Sequence, residues 1–389
     1  MGANPLWGED WEQVRRLWPL DDAVLHCNHG SFGAVPKAVL EAQDEFRSRM
    51  VARPALWFSR ELPGLVVEAH AAVAAFLNAD AGDMAFVTNV SAGVSVVAHS
   101  LHLEPGQEVV SSDHIYGAVS YALDRLCART GAARVVVKVP FGASDSEVVD
   151  IFASGCSGRT GLVVIDQVTS ATARRFPVEE VTAVAHRAGA AVLVDGAHAP
   201  GMLAVDVPAL GADFWTGNLH KWVCAPPGTG VLWVAPEWQS QVKSPVVSWN
   251  EPYGFPSSLE RVGTNDLSSW LAAPVAIRLL GALGWERARS HNEALVGAGQ
   301  RTVAEILGTG EQGLRHDPGL SMALVPLPPD SGIGSQEDAE ALQARLAGMG
   351  VETVVTPWLG GALRLSAHVY NQPADYERLG VAVRNALAA

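Results

Sequence analysis

Between about residues 25 and 265, short apolar runs alternate with stretches of helical periodicity. The runs are rich in β-branched residues and almost continuously apolar, which is typical of strands buried on both faces of a parallel sheet. The segments between them, such as AGVSVVAHSLH and VEEVTAVAHRAG, predict helices. This alternation predicts a doubly wound α/β fold with a mostly parallel sheet. The strand candidates are 85–89, 108–112, 134–139, 162–166, 191–195 and 229–234.

The pattern changes after residue 265. A long Ala- and Leu-rich stretch predicts helices with an interruption at Pro274, and strand-like residues 321–327 follow. A further helix, two strands (VETVV and ALRLS) and a closing helix complete a smaller α+β domain. We therefore expect an N-terminal segment (1–24) that packs on the small domain, a large domain (25–265) and a small C-terminal domain (266–389). The Pro/Gly/Ser-rich stretch 248–258 is predicted to be a loop.

Composition and charge narrow the classes of function. The chain has 389 residues, 48% of them hydrophobic, and a net charge of −14 without a basic block. Nucleic acid and anionic membrane surfaces are disfavoured as partners, because both require clustered Lys and Arg. Neither a signal peptide nor a run of about 18 apolar residues is apparent, so a cytoplasmic protein is expected. The four cysteines are scattered and predict reduced thiols and no metal site.

Asp195 and Lys221 form the first chemical signal. Asp195 ends an apolar strand, and Lys221 follows 26 positions later, before a Gly/Pro-rich segment. Ligands of open α/β sheets bind outside the carboxyl ends of the strands, where an unpaired carboxylate is costly. The pair fits pyridoxal 5′-phosphate (PLP), with the lysine as a Schiff base and the aspartate holding the pyridine nitrogen protonated. Taken singly, the two residues are better explained as a strand-end turn residue and a solvated surface lysine; together with the surrounding motifs, the cofactor interpretation is favoured.

A phosphate group would need its own binding site. Residues 88–95, TNVSAGVS, lie between a strand and an apolar helical pattern. Ser91, Ala92 and Gly93 are candidates because backbone N–H groups at a helix N-terminus bind phosphate. Alone this signal is weak, since Ser and Gly at a helix start are usually caps. His220 is a second candidate phosphate contact.

Six motifs in order carry a family resemblance across nearly the whole chain. They are NHGSFG (28–33), TNVSAGVS (88–95), DGAHAPG (195–201), GNLHKW (217–222), RVGTNDLSSWLAAP (261–274) and LRLSAHVYN (363–371). With them the chain resembles the fold-type I, class V aminotransferase-like PLP enzymes, and most of all the isopenicillin N epimerase-like group. The resemblance is specific for fold and cofactor. It is not specific for the reaction, because the group includes epimerases, C–S lyases and other amino-acid chemistries.

The resemblance implies roles around the cofactor. Lys221 would be the catalytic Schiff-base lysine, Asp195 the pyridinium partner, and His198 a neighbour of a cofactor oxygen. Thr169 would hydrogen-bond the phenolic oxygen. The segment 113–118 should supply the group stacked on the ring, for which Tyr116 is favoured because an aromatic face suits that place. The further cofactor contacts would be Ser91, Ala92, Gly93, Asn218 and His220, with His114 as the alternative to Tyr116.

The resemblance also implies a partner subunit and a substrate. Gly263 and Thr264 would reach the phosphate of the neighbouring subunit, which implies a homodimer with shared sites. Arg364 would bind a substrate carboxylate as a bidentate fork, the alternative being an exposed strand arginine. Asn28 and His29 would border the substrate, the alternative being an N-terminal turn.

One departure from the family bears on the reaction. Relatives that are cysteine desulfurases carry a nucleophilic cysteine shortly before the carboxylate-binding arginine. Here that stretch, GVETVVTPWLGGALRLS, has no cysteine, and none lies beyond Cys224. A persulfide-forming desulfurase is therefore disfavoured. C–S β-lysis of an S-substituted L-cysteine in secondary metabolism is the first expectation, with epimerisation and decarboxylation-coupled deamination or transamination as alternatives, and no residue decides among them.

Overall fold

The structure, a computed structural model, describes residues 11–388. Residues 1–10 of the expected N-terminal segment therefore lie outside the described part. The strands are β1 Leu25–His26, β2 Met84–Val87, β3 Glu108–Ser112, β4 Ala133–Val137, β5 Thr160–Asp166, β6 Ala191–Gly196, β7 Phe214–Asn218, β8 Gly230–Val234, β9 Met322–Pro326, β10 Val351–Glu352, β11 Val354–Thr356 and β12 Ala362–Ser366.

The α-helices surround the sheets. In chain order they are α1 Trp11–Arg15, α2 His29–Phe32, α3 Lys37–Ala52, α4 Pro54–Leu56, α5 Leu62–Phe76, α6 Val90–Ser100, α7 Gly117–Thr130, α8 Asp145–Gly155, α9 Val178–Arg187, α10 Ser257–Glu260, α11 Ser268–Leu283, α12 Trp285–Leu307, α13 Gln336–Gly348 and α14 Pro373–Ala388. One turn of π-helix, Trp57–Glu61, joins α4 to α5. No helix within residues 11–388 is both long enough and apolar enough to cross a membrane.

The central sheet has seven strands in the order β2-β8-β7-β6-β5-β3-β4. Strand β8 is antiparallel to β2 and β7, and the other pairs are parallel. Successive residues of β5 enter different apolar cores, with Val163 and Ile165 in one and Leu162 and Val164 in the other. Helices cover both faces, as the continuously apolar strands predict. The predicted α/β architecture is confirmed.

The C-terminal part is built around the antiparallel sheet β11-β12-β9 and the helices α12, α13 and α14. The short strand β1 pairs with β10, and Leu25 and Cys27 lie in this second core. Helix α11 packs instead on α3 and α5 of the large domain. The domain boundaries expected at 24/25 and 265/266 stay predictions, and these contacts favour moving both of them toward the C-terminus.

The helical stretch after residue 265 is interrupted at a different place from the one expected. Helix α11 runs through Pro274 and ends at Gly284, whose φ of +89° is unfavourable for other residues. A proline removes only one backbone hydrogen bond, to the carbonyl four residues before it. The buried residues around Pro274 keep the helix packed on α3 and α5, so tertiary contacts outweigh the local break.

Candidate active site

A cavity of about 280 Å³ opens at the carboxyl ends of β5, β6 and β7. Asp166, Asp195 and Asn218 each lie at or next to the end of one of these strands and line it. Parallel strands bring their carboxyl ends to the same edge, which is the general ligand position in open α/β sheets. The full lining is Ser31, Phe32, Asn89, Val90, Ser91, Tyr116, Asp166, Val168, Ser170, Asp195, Ala197, His198, Asn218, His220 and Lys221.

Lys221 points into this cavity from the segment after β7. Its Nζ lies 3.0 Å from Nε2 of His198, and both side chains are buried. Burial, assisted by the charge of Arg364, lowers the pKa of Lys221 to about 7. Burial also holds the pKa of His198 well below its usual range, so its imidazole is neutral. An amine that is partly unprotonated at neutral pH can act as a nucleophile and as a base.

Asp195 forms the floor of the cavity together with Asp166. Oδ1 of Asp195 accepts the backbone N–H of Ala197 at 2.9 Å. Burial raises the pKa of Asp195, while the Ala197 N–H and the charge of Lys221 lower it. Asp166 is the register partner of Asp195 on the adjacent strand, and its Oδ2 has no hydrogen-bond partner. Asp166 was not anticipated, although it ends the apolar run LVVID just as Asp195 ends AVLVD.

The N-terminus of α6 faces the same cavity, but only part of the predicted phosphate segment does. Ser91 lines the cavity, whereas Ala92 and Gly93 do not. The Ala92 N–H donates to the capping side chain of Asn89 at 3.0 Å, and the Gly93 N–H donates to the Asn89 carbonyl. A Cβ at position 93 would lie 2.3 Å from Oγ1 of Thr216, so Gly93 allows α6 to approach β7. These contacts favour Ser91 over Ala92 and Gly93, whose contact with a phosphate stays a prediction.

Asn218 and His220 line the cavity next to the N-terminus of α6. Oδ1 of Asn218 accepts the Val90 N–H at 3.0 Å, which ties β7 to the start of α6. His220 lines the cavity with Nδ1 placed 3.3 Å from the Thr229 carbonyl. Burial lowers the pKa of His220 to about 4. Both residues line the cavity beside the N-terminus of α6, and their contact with a cofactor stays a prediction.

Tyr116 and His114, the two candidates for the group stacked on the cofactor ring, differ in position. Tyr116 lines the cavity and is 50% exposed, as the residue preceding α7. His114 is buried outside the cavity lining, with hydrogen bonds to Thr172 at 2.6 Å and to the Val139 carbonyl at 2.8 Å. Its ring packs 4.4 Å from that of Trp358. The structure therefore favours Tyr116 for contact with the ring and gives His114 a packing role.

The structure also shifts the polar contact expected from Thr169. The Thr169 hydroxyl is fully buried and already hydrogen-bonds Thr172 at 2.6 Å and the Arg174 N–H at 2.8 Å. Its neighbours Val168 and Ser170 line the cavity instead. Side chains alternate along an extended segment, so Thr169 lies on the opposite face from Val168 and Ser170. The contact expected from Thr169 stays a prediction.

Arg364 approaches from β12 of the small domain and is 3% exposed. Its Nη1 donates to the carbonyl and the hydroxyl of Ser170, at 2.7 and 3.2 Å. Its Nη2 donates to Oδ1 of Asn28 at 3.2 Å and to Oγ of Ser31 at 2.7 Å. Ser31 and Ser170 line the cavity and were not anticipated. Arg364 is not itself part of the cavity lining, and its guanidinium is held behind Ser31 and Ser170, with Nε left without a partner.

His29 lies beneath Lys221 rather than beside a substrate. Its Nε2 is 3.1 Å from the Lys221 carbonyl and its Nδ1 is 2.9 Å from the Tyr370 hydroxyl. Its ring stacks on His368 at 4.1 Å and 16°, and Cys224 lies against both. Two stacked imidazoles cannot both point an in-plane lone pair at one ion, so the cluster is not built as a metal site. These contacts favour a packing role for His29, and the expectation that it borders the substrate stays a prediction.

Gly263 and Thr264 are exposed and do not line the cavity of their own chain. Their expected contact with a neighbouring subunit therefore stays a prediction.

The residues present fit PLP. Lys221 offers a partly neutral amine, and Asp195 offers a buried carboxylate for a protonated ring nitrogen. Tyr116 offers an aromatic face, and Ser91 stands at a helix N-terminus suited to a phosphate. Nδ1 of His198 is buried without a partner and faces the same region.

Comparison with known proteins agrees with this geometry. The model of the family Aminotransferase class-V matches residues 33–379. The chain belongs to this family. Isopenicillin N epimerase of Streptomyces clavuligerus is 32% identical over 96% of this chain and 98% of its own length. A putative L-cysteine desulfhydrase of Oryza sativa subsp. japonica is 30% identical over 97% of this chain and 86% of its own length.

A solved structure shows the same fold. The cystine C–S lyase C-DES, in complex with its reaction product cysteine persulfide, superposes with a TM-score of 0.80. It is 19% identical and covers 93% of this chain and 97% of its own. The predicted family, the fold-type I architecture and a PLP-dependent enzyme of class V are confirmed.

Proposed function

We propose that this PLP-dependent enzyme is a C–S β-lyase acting on S-substituted L-cysteines. The observation that carries the proposal is the position of the Lys221 amine. Its Nζ lies 3.0 Å from Nε2 of His198, and the positive charge of Arg364 is close enough to lower the pKa of Lys221. An amino acid held by its carboxylate at Arg364 would present its Cα near this amine. Removal of the Cα proton by one base, followed by loss of a thiol from Cβ, requires no second proton carrier on the substrate's far side.

Each residue has a defined task in this proposal. Once bound, the cofactor withdraws electrons from the Cα of the attached amino acid. Lys221 takes the Cα proton at Nζ, and neutral His198 holds that nitrogen in place by a hydrogen bond. Arg364 binds the carboxylate through its two Nη groups, which Ser31 and Ser170 already orient. Water then completes the conversion to pyruvate and ammonia, so that thiol, pyruvate and ammonia form in equal amounts.

The loop before Arg364 supports elimination over persulfide formation. Residues 350–363 contain no cysteine, and Trp358 packs against His114 there. A desulfurase requires a thiolate to accept the sulfur. Several plant relatives are named L-cysteine desulfhydrase, among them one of Arabidopsis thaliana at 30% identity, which accords with loss of sulfur as a free thiol or sulfide.

Epimerisation is the second candidate. Two bacterial relatives at 32% identity are named isopenicillin N epimerase, and the phenol of Tyr116 lines the same cavity as Lys221. An epimerase needs a proton carrier on each side of Cα, and Tyr116 is the group that would serve opposite Lys221.

The proposal includes a homodimer and a small amino-acid substrate. The exposed Gly263–Thr264 pair is free in a single chain to reach a neighbouring site. Two such contacts related by a two-fold axis would complete both phosphate corners.

The deciding experiment incubates the purified holoenzyme with S-methyl-L-cysteine, L-cysteine and L-alanine. Pyruvate, ammonia, CO₂ and the D-isomer are measured in parallel, with the variant Lys221→Ala as the inactive control. Equal amounts of pyruvate, ammonia and thiol from S-methyl-L-cysteine support the lyase. D-isomer without pyruvate supports the epimerase, and release of CO₂ without either product contradicts both.

A further inference from the structure

A second carboxyl group lies beside Asp195 in the cavity, and no step above uses it. Asp166 and Asp195 are register partners on the parallel strands β5 and β6 and both line the cavity. Adjacent strands lie about 4.8 Å apart, and partners in register point to the same side. Two buried carboxyl groups so placed interact strongly with one another, and their protons titrate as a pair.

The surroundings of the Asp195 and Asp166 carboxyl groups differ, and the difference indicates that Asp195 is the one that carries the negative charge. Asp195 accepts a hydrogen bond from the Ala197 N–H and is stabilised by the charge of Lys221. The Asp166 carboxyl interacts with the backbone N–H of Tyr116, but its Oδ2 is buried without any hydrogen-bond partner. A buried, unpartnered carboxylate oxygen is costly when ionised and much less so when protonated.

We propose that Asp166 is a positioning residue that remains a neutral carboxylic acid, so that the floor of the cavity carries one negative charge, on Asp195. A single charge matches a single protonated ring nitrogen. The inference rests on the proposal that PLP lies over Asp195. Burial and the neighbouring Asp195 both raise the pKa of Asp166, which agrees with this geometry.

Among the described residues, no cationic side chain forms an ion pair with Asp166, whereas Asp195 interacts with the charge of Lys221. His198 and His220 are neutral because burial lowers the pKa of each. Strand β3, on the other side of β5, is followed by Asp113 and by a buried His114 whose pKa is also lowered. The remaining titratable groups that line the cavity are Tyr116, Asp195 and Lys221. Arg364, on β12, lies behind Ser31 and Ser170, to which it donates hydrogen bonds.

Infrared spectroscopy tests the protonation state directly. Cofactor-free protein labelled with ¹³C-carboxyl aspartate should show a protonated-acid C=O band at neutral pH that is absent from Asp166→Asn and retained in the exposed control Asp150→Asn. Absence of any protonated aspartate in the wild-type protein overturns the inference, whatever the variants do. This arm involves neither cofactor nor substrate, so its failure is distinct from a failure of the proposed lyase activity.

Cofactor binding gives the second readout. An asparagine has the shape and the neutrality of a protonated aspartate, so Asp166→Asn should change the dissociation constant of PLP by less than about threefold. Asp195→Asn should weaken it by about tenfold to a hundredfold, because a charge-assisted hydrogen bond is lost. The pH midpoint of the visible absorbance should move by less than about 0.3 unit in Asp166→Asn. A fall of one unit or more, as removal of a nearby charge causes, would show that Asp166 is ionised and would overturn the inference.

Discussion

Replacing Arg364 by lysine perturbs substrate binding while leaving most of the site intact. The guanidinium makes hydrogen bonds to Ser170, Asn28 and Ser31 at 2.7–3.2 Å, which hold its plane behind the cavity lining. A lysine keeps the positive charge, and therefore the charge effect of position 364 on Lys221, but offers no parallel pair of donors. The substitution thus separates carboxylate geometry from electrostatics.

The expected loss follows from one charge-assisted hydrogen bond. Such a bond is worth about 1.5–3 kcal/mol, so kcat/KM for S-methyl-L-cysteine should fall about tenfold to a hundredfold. Arg364 makes no hydrogen bond to Asp195, His198 or Lys221, so the visible absorbance of the bound cofactor should persist. The exposed Arg345→Lys serves as the matched control and should leave kcat/KM unchanged.

The assay combines steady-state pyruvate release with an absorbance spectrum of each variant. Unchanged kinetics of Arg364→Lys with every amino acid tried would remove Arg364 from the substrate site. Loss of the cofactor together with activity would show that the arginine supports the PLP site instead. A rise in CO₂ release relative to Cα proton exchange would indicate decarboxylation, because a tight carboxylate clamp opposes that reaction.

Three further predictions address packing, electrostatics and assembly. Gly93→Ala should lower the free energy of unfolding in urea by about 1–3 kcal/mol, because its Cβ would clash with Thr216. The control Gly117→Ala has open space around its Cβ and should leave the stability unchanged. Equal stability of the two variants would contradict the packing of α6 on β7. The pKa of Lys221 falls from 10.5 to about 7 on folding, so the unfolded state binds more protons between these two pH values. The free energy of unfolding of the cofactor-free protein should therefore rise with pH through that window. Lys221→Met should reduce the slope of unfolding free energy against pH, and an equal slope would refute the burial argument. Mixing a Thr264→Ala chain with a Lys221→Ala chain should restore one active site per heterodimer. Sedimentation velocity should show that the active species is a dimer. A fully active monomer would contradict a shared site.

The sequence predicted the sheet and the chemistry of its edge because both depend on local patterns. Apolar β-branched runs marked the central strands, and a carboxylate at the end of one run marked Asp195. Lys221, His198 and Tyr116 were found through motifs of fixed spacing, and the structure brings all of them to one cavity. The strands and Asp195 follow from strand direction and periodicity, whereas the roles of His198 and Tyr116 were implied by the family resemblance.

The contacts that the sequence did not predict depend on tertiary packing. His29 faces the buried ring of His368 because the backbone around it hydrogen-bonds Ser366 at the end of β12, a contact between residues far apart in the chain. Gly93 meets Thr216 across a helix–sheet interface. Ser31 and Ser170 were missed because each becomes meaningful only through its hydrogen bond to Arg364 on a distant strand. No local pattern encodes such long-range pairings.

The most direct test of the account is to locate the cofactor's covalent attachment. Borohydride reduction of the purified yellow protein, followed by proteolysis and mass spectrometry, should bleach the visible band and place the pyridoxyl adduct on the peptide containing Lys221. Lys138 and Lys243 lie outside the cavity lining and should remain unmodified. An adduct on either of those lysines, or no adduct in protein that is active, would contradict the assignment of this cavity as the active site.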